Sequence, residues 1–530
     1  MIAGVKTRLY GAAMLFLLGA SLATAQPVGT AAGTVKGTTT ADGKIRIFKG
    51  IPYAAAPVGE NRWREPKPAP AWQGVRDALE FGAQCMQGQV FDDITFPRPA
   101  SEDCLNLNIW TPAASANDRL PVMVWIHGGG FRAGAGAEPR HDGEAFARKG
   151  IVLVTINYRL GIFGFLSHPE LTRESAHNAS GNYGLLDQIA ALQWVKANIA
   201  AFGGDPSNVT IFGESAGSFS VSALMATPLA AGLFHKAIGE SGAFFSSGSG
   251  LRLQPLAATE EQGTKFASSL DAASLADLRA RSSEELLAAA MKAQGMFSPS
   301  IDGYVLRESA YSTFSAGRQA HVPLLAGWNA DESRMSVTLG PQKPTAQSFA
   351  DDVGKRFGAQ ADAILAAYRP ASDADAVESA AALAGDTFIG YSTWKWIEMQ
   401  ATTGGSAPVY RYSFDRKIPV PANHTVRGRP ATSADIGARH AGEIQYVFGT
   451  LASIPEVPWE PSDKALSDAM TSYWANFAKK GDPNGEGLPM WPKYDPKAPR
   501  VLHLDVTIKD APDTTRARYE AIDAFVSSQR

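Results

Sequence analysis

Ser215 stands in Phe212-Gly213-Glu214-Ser215-Ala216-Gly217, after the strand-like run Asn208-Val209-Thr210-Ile211-Phe212 and before the helix-like run from Ser218 to Met225. On a strand-to-helix turn, a serine with a glycine two residues to either side can be held in a strained backbone conformation. Its hydroxyl is then raised clear of the sheet, and the next residue's N–H is aimed at an incoming carbonyl oxygen. That placement suits a nucleophile. A serine hydroxyl is weak at its own pKa, so it needs a neutral imidazole to take its proton and a carboxylate to orient that imidazole.

Both partners are available downstream, in the chain order serine, acid, histidine. The run Val322-Pro323-Leu324-Leu325-Ala326-Gly327 reads as a strand entering the acidic loop Trp328-Asn329-Ala330-Asp331-Glu332-Ser333, in which either carboxylate could reach a histidine. Gly437-Ala438-Arg439-His440-Ala441-Gly442-Glu443 places His440 on a loop of small residues, before an aromatic, β-rich run from Ile444 to Phe448. His440 and Glu443 alone do not make a metal site, because no third ligand lies nearby. Upstream, the strand-like run Leu120 to Ile126 ends in His127-Gly128-Gly129-Gly130-Phe131. Its bare backbone can approach a substrate and donate N–H groups to a tetrahedral oxyanion. A phosphate loop is excluded, since no Lys-Ser/Thr follows and the spacing is not G-x-G-x-x-G.

These segments need a common scaffold. Leu120 to Ile126, Ile151 to Asn157, Val209 to Phe212 and Val322 to Gly327 are short apolar runs bounded by turn residues, and Leu185 to Ala201 carries apolar residues at helical spacing. Such alternation predicts a mostly parallel sheet flanked by helices, with the reactive groups at the carboxyl ends of its strands. From Gly33 to Asp77 the short β-type runs are broken by Gly and Pro, which predicts an antiparallel edge. Two stretches, Gln254 to Gln294 and Thr345 to Met399, read as helical insertions packed over the catalytic end.

The chain has 530 residues, of which 45% are hydrophobic, enough for a large core. Its net charge is −3 and it has no long Lys/Arg run, so the electrostatic footprint of a nucleic-acid binder is missing. Residues 1–25 have the form of a secretory signal: Lys6 and Arg8, an apolar stretch from Leu9 to Leu22, then Ala23-Thr24-Ala25 before Gln26. That stretch is shorter than the ~20 residues a bilayer span needs. Export to the periplasm or medium is expected, with residues 26–530 as one domain and no membrane span in the mature chain. An exported chain is free to oxidise its two cysteines, Cys85 and Cys104, which cannot by themselves hold zinc.

Further motifs complete the pattern: Gly50-Ile51-Pro52-Tyr53-Ala54, Glu102-Asp103-Cys104-Leu105-Asn106-Leu107-Asn108-Ile109-Trp110, Asn157-Tyr158-Arg159, Gly181-Asn182-Tyr183-Gly184-Leu185-Leu186-Asp187-Gln188, Phe202-Gly203-Gly204-Asp205-Pro206 and Trp474-Ala475-Asn476-Phe477-Ala478. With them, nearly the whole mature chain resembles the type B carboxylesterases of the carboxylesterase and cholinesterase family. The resemblance implies an α/β-hydrolase fold and hydrolysis of a small-molecule carboxylic ester through an acyl-enzyme, with no cofactor and no metal. It implies that Ser215 is the nucleophile, Glu332 the acid and His440 the base, with the N–H groups of Gly129, Gly130 and Ala216 forming the oxyanion hole. By the same resemblance Cys85 and Cys104 form a disulfide, while Glu214 and Ser241 stand behind the triad.

One departure narrows the substrate. Cholinesterases place a tryptophan between those two cysteines to hold a quaternary ammonium, and Met86 to Asp103 offers only Phe91 and Phe96. Choline esters are therefore not expected, and Phe131, Phe219 and Phe448 are expected to supply apolar walls. An amidase or lactonase on the same triad is the alternative chemistry. A non-catalytic cholinesterase-like binding protein would carry a broken triad, and here every member is present.

Overall fold

The run Leu120–Ile126 is apolar throughout, which suits a strand covered on both faces. In the computed structural model it lies inside an eleven-stranded sheet. The structure describes residues 25–94, 98–245, 252–293, 297–426 and 428–529; residues 1–24 of the expected signal segment, and Phe96, lie outside these. In chain order the strands are β1 (Thr38–Thr39), β2 (Arg46–Pro52), β3 (Asn106–Thr111), β4 (Leu120–Ile126), β5 (Val152–Ile156) and β6 (Gly204–Glu214). They continue with β7 (Lys236–Glu240), β8 (Leu324–Asn329), β9 (Val409–Phe414), β10 (Arg500–Leu504) and β11 (Lys509–Pro512). Across the sheet the order is β11-β10-β9-β8-β7-β6-β4-β5-β3-β2-β1. Every pair from β10 to β5 is parallel, while β1, β2 and β3 form an antiparallel edge next to β5. The first two of these come from the region predicted as such an edge, but Thr34–Lys36 of the same region pairs in parallel with Val75–Asp77 in a separate small sheet.

Side chains alternate across a strand, and the buried strands use both faces. On β4, Val122, Val124 and Ile126 join one apolar cluster, and Met123 and Trp125 join the other. The first cluster includes α1 (Tyr183–Asn198), α2 (Ala216–Ala226) and, further along the chain, α3 (Asp373–Gly385) and α4 (Tyr391–Thr403). The second holds α5 (Ile444–Phe448) and α6 (Pro461–Lys480), whose Met470, Tyr473, Trp474 and Phe477 are buried there. Local chemistry sets the ends of α6: Pro461 opens it, Glu460 and Asp463 form a capping box, and Gly481 closes it in a left-handed conformation. The run from Ile444 to Phe448, expected to be β-rich, is instead the helix α5. All five of its residues are buried, so packing has overridden the β preference of its Ile, Tyr, Val and Phe.

The two helical insertions differ in what they do. The first packs its helix Leu256–Ser269 against Ser167, so tightly that a Cβ on Gly263 would stand 1.8 Å from the Ser167 carbonyl oxygen. The second contains α3 and α4, joined by a π-helical turn, Asp386–Gly390, that reaches the catalytic end of the sheet. Cys85 and Cys104 are disulfide-bonded. In the chain-entropy description, closing a loop of that length contributes about 3 kcal/mol. The same closure tethers the segment that carries Phe91, Asp93 and Ile94.

Helix α2 sits against the backbone of β4, and only glycine allows it. A Cβ on Gly217 would stand 1.9 Å from the Ile126 carbonyl oxygen, and one on Gly213 2.5 Å from the same atom. Neither position has a yielding side chain as its neighbour. Gly217→Ala is therefore expected to destabilise the protein by about 1–3 kcal/mol, the usual cost of overpacking, and to displace Ser215. A thermal melt and an activity assay on the purified variant check this; an unchanged melting temperature with unchanged turnover would contradict the close approach.

Candidate active site

Parallel pairing aligns three strand ends. Glu214 at the end of β6 is opposite Glu240 at the end of β7, which in turn is opposite Gly327 near the end of β8. The chain turns sharply straight after the first two. Ser215 has φ 52° and ψ −120°, and Ser241 has φ 58°, each a conformation costing about 1–3 kcal/mol for a non-glycine residue. Backbone hydrogen bonds hold them there: Ser215 N–H donates to the Glu240 carbonyl at 2.8 Å and Ser241 N–H to the Gly327 carbonyl at 2.9 Å.

His440 lies between Ser215 and Glu332. Its Nε2 is 2.9 Å from Ser215 Oγ and its Nδ1 is 2.5 Å from Glu332 Oε2. The other oxygen of Glu332 accepts from the Ser241 hydroxyl at 2.6 Å and from the Asn329 N–H at 2.9 Å, so the carboxylate is fixed from three sides. Asp331 faces elsewhere. It accepts from the Ala438 N–H at 2.9 Å, while Asn329 Nδ2 donates to the Arg439 carbonyl at 2.7 Å. Those two bonds tie the histidine loop to the acidic loop. Of the two neighbouring acids, Glu332 reaches the imidazole and Asp331 anchors its loop.

Behind His440 is a cluster of buried carboxyl groups. Glu214 Oε1 is 3.3 Å from His440 Nε2. Glu443 is fully buried, accepts from Asn329 Nδ2 at 2.6 Å, and lies beside the Ser241 hydroxyl. The sequence presented Glu443 only as a failed metal ligand; its place beneath the triad follows from the helical turn that opens at Ile444. Burial pushes Glu214 up to about 8, with Glu443 and Glu332 adding to the rise while His440 and Arg140 oppose it. Burial likewise raises Glu443 to about 7, with Glu332 adding to the effect. For His440 burial works against the charged form, but Glu214, Glu332 and Glu443 outweigh it and lift the imidazole to about 10. The imidazole thus ionises well above the ordinary histidine value of about 6.5.

Gly129 and Gly130 occupy left-handed backbone, with φ of +98° and +63°. The Gly129 carbonyl accepts from the N–H groups of Arg132 and Ala133, each at 3.0 Å. The loop presses on the serine turn, since a Cβ on Gly128 would stand 2.6 Å from Glu214 Oε2 and 3.2 Å from Ser215 Cβ. Ala216 opens α2, so its N–H has no partner within the helix. Gly129 and Gly130 line a cavity of about 340 Å³ together with Ser215 and His440, and Ala216 directly follows Ser215 in the chain.

The cavity walls differ from the expected ones. Phe219 lines the cavity, but Phe131 is buried against Phe165 and Phe244, and Phe448 lies on the opposite face of the sheet against Trp125 and Phe212. The remaining apolar walls are Phe91 and Ile94, from the disulfide-closed segment, with Phe388 and Ile389 from the π-helical turn. Phe388 packs edge-on to the imidazole, 5.3 Å between ring centres. The turn is pinned by buried Asp386, which accepts from the Tyr368 hydroxyl at 2.7 Å. Asp93 and Arg140 also reach the cavity, and no sequence signal had marked either. Among the described residues no group of three or more His, Cys, Asp or Glu could hold a metal ion, and no helix is long and apolar enough to cross a membrane.

The chain is similar to known proteins over most of its length. The model of the carboxylesterase family matches residues 24–522. A fumonisin B1 esterase of Sphingopyxis macrogoltabida is 38% identical over 480 residues, covering 88% of this chain and 84% of that protein. A para-nitrobenzyl esterase of Bacillus subtilis (strain 168) is 37% identical over 513 residues, covering 93% and 98%. Among solved structures, a PNB esterase superposes with a TM-score of 0.79 at 35% identity, covering 94% of this chain and 99% of its own. The carboxylesterase EST55 of Geobacillus stearothermophilus gives 0.79 at 34% identity, covering 93% and 99%.

The carboxyl cluster makes a signed prediction. A histidine base works only when neutral, so a raised pKa moves the acid limb of the pH–rate profile to higher pH. Glu214 is the foremost of the groups lifting His440, and removing its charge should lower the imidazole pKa. For Glu214→Gln the rise in kcat/KM on a neutral ester should begin about a unit or more closer to acid than in the wild type. A profile that stays in place or moves to higher pH would show that Glu214 does not act on His440 in this way.

Proposed function

The chain belongs to the carboxylesterase family and is a carboxylic ester hydrolase; on that premise we propose that Ser215, His440 and Glu332 carry the reaction through an acyl-enzyme. Ser215 Oγ attacks the ester carbonyl while His440 Nε2 takes its proton, forming a tetrahedral intermediate. The N–H groups of Gly129, Gly130 and Ala216 stabilise the oxyanion. His440 returns the proton to the leaving alkoxide, and water, activated by the same imidazole, then releases the acid. Glu332 holds the imidazole with its Nδ1 proton directed away from the serine. The single observation that carries this is the Ser215–His440–Glu332 relay, at 2.9 Å and 2.5 Å, in one cavity with the glycine loop.

The cavity supports short alkyl or aryl esters as substrates: it is of small-molecule size and its walls are largely aromatic and aliphatic. The relatives named for fumonisin B1 and para-nitrobenzyl esters contribute only the ester bond to this proposal. We further propose that residues 26–530 form one catalytic domain, exported after removal of residues 1–25. The disulfide between Cys85 and Cys104 supports an oxidising destination.

Two experiments test the assignment. Ser215→Ala should abolish hydrolysis of p-nitrophenyl butyrate without lowering the melting temperature, and an organophosphate should label the wild type once, at Ser215. Labelling at another serine, or near-normal turnover by the variant, would remove the nucleophile from Ser215. Glu332→Gln should cost several orders of magnitude in turnover through loss of the correct tautomer, and Asp331→Asn far less. The opposite ranking would exchange the two carboxylates.

A further inference from the structure

Among the described residues Arg140 is the one arginine lining a cavity whose other charged or titratable groups are Asp93, Glu214 and His440, and whose remaining walls are mostly apolar. It lines the same space as Ser215, Phe91, Phe219 and Phe388, and is only 9% exposed. Its Nε donates to Glu138 Oε2 at 2.9 Å, and Glu138 is itself buried and held by the Ala135 N–H at 3.0 Å. That pairing gives Arg140 a structural counterion and clamps the back edge of its guanidinium. The front edge is poorly served. Nη1 is 3.4 Å from Asp93 Oδ2, and Arg439 Nη1 is 3.6 Å from the same oxygen. Nη2 of Arg140 makes no hydrogen bond among the described residues.

Elsewhere this protein makes such pairs tightly. Arg159 binds buried Asp187 in bidentate fashion, at 2.7 Å from each of two nitrogens. Charge-assisted bonds normally fall at about 2.7–2.9 Å, so Asp93 is held loosely by two cations that a better-fitting carboxylate could bind at full strength. The two arginines keep Asp93 charged against the effect of its burial. Asp93 is thus a loosely held carboxylate shared by two arginines, in one cavity with Ser215, on the disulfide-closed segment.

Resting on the ester-hydrolase mechanism above, we propose that the cavity accepts esters bearing a free carboxylate, which Arg140, assisted by Arg439, recognises in place of Asp93. The carboxylate can belong to the acyl part or to the alcohol part, and the chemistry of recognition is the same for both. Arg140 is then a specificity-determining residue, and the apolar walls hold the rest of the substrate.

The test compares kcat/KM within matched pairs, each normalised to its rate of alkaline hydrolysis. Monoethyl succinate against ethyl butanoate places the carboxylate on the acyl part, and 3-acetoxybenzoate against phenyl acetate places it on the leaving group. In the wild type at low ionic strength at least one pair should favour the anion by about tenfold or more, and that pair identifies the part recognised. The preference should fall as NaCl rises from about 0.05 to 0.5 M, should fall about tenfold in Arg140→Leu, and should rise in Asp93→Asn. A merely structural role for Arg140 would lower both members of a pair together and leave the ratio unmoved. Should Arg140→Leu not fold, the Asp93→Asn ratio and the salt series decide: both must move as stated, or the proposal is rejected. No anionic preference in either pair, with the neutral esters turning over, overturns the proposal and leaves the hydrolase mechanism standing. No turnover of any of the four esters would bring down the mechanism, and this proposal with it.

Discussion

The contact between His440 Nδ1 and Glu332 joins segments 108 residues apart, and much of the surrounding structure serves to hold it. Asp331 and Asn329 bind the backbone of the histidine loop at Ala438 and Arg439, so the two loops are set as one unit. Ser241 and the Asn329 N–H fix the far side of the Glu332 carboxylate. Ser241 can do this because β7 lies between β6 and β8 in parallel register, which brings the turn after Glu240 level with the turn after Glu214. A displacement of one strand by one residue would turn its side chains to the other face and disperse the site.

The same packing carries an electrostatic cost that the site turns to use. Glu214, Glu240 and Glu443 are buried within or next to it, and burial raises all three above the ordinary carboxyl range. Carboxyls that retain protons near neutrality avoid the repulsion of several charges in one core. Those that ionise attract the imidazolium, the charge His440 would carry in its proposed role as base. In the proposed mechanism these carboxyls act on His440 from behind it.

The cavity is built from parts remote in sequence. The glycine loop after β4, the disulfide-closed segment, the π-helical turn between α3 and α4 and the histidine loop each supply one wall. A π-helical turn widens the helix and re-aims the side chains it carries, which is how Phe388 comes to lie against His440. Asp386, hydrogen-bonded to Tyr368, holds that widening in place. Among these apolar walls Asp93 and Arg140 reach the cavity from an ion cluster that also includes Glu138 and Arg439.

What the sequence determined by itself was whatever depends on neighbours along the chain. The glycines around Ser215 dictate a tight strand-to-helix turn, the glycine run after Ile126 dictates a bare loop, and the buried strands are legible because a strand covered on both faces is apolar throughout. Family resemblance separated Glu332 from Asp331, which the spacing alone could not do, since both lie on one short loop. Tertiary structure decided the rest. Ile444–Phe448 became a helix because burial against α6 and the sheet outweighed its local β preference, and that helix carried Phe448 to the far face while bringing Glu443 beneath the triad. Phe131 was turned into the core, and Phe388, Asp93 and Arg140 were brought to the serine from segments with no motif of their own. The physical reason is one of range: backbone torsion and alternation act over a few residues, whereas the direction of a side chain and the charges around it are fixed only when strands and helices far apart in sequence are packed together.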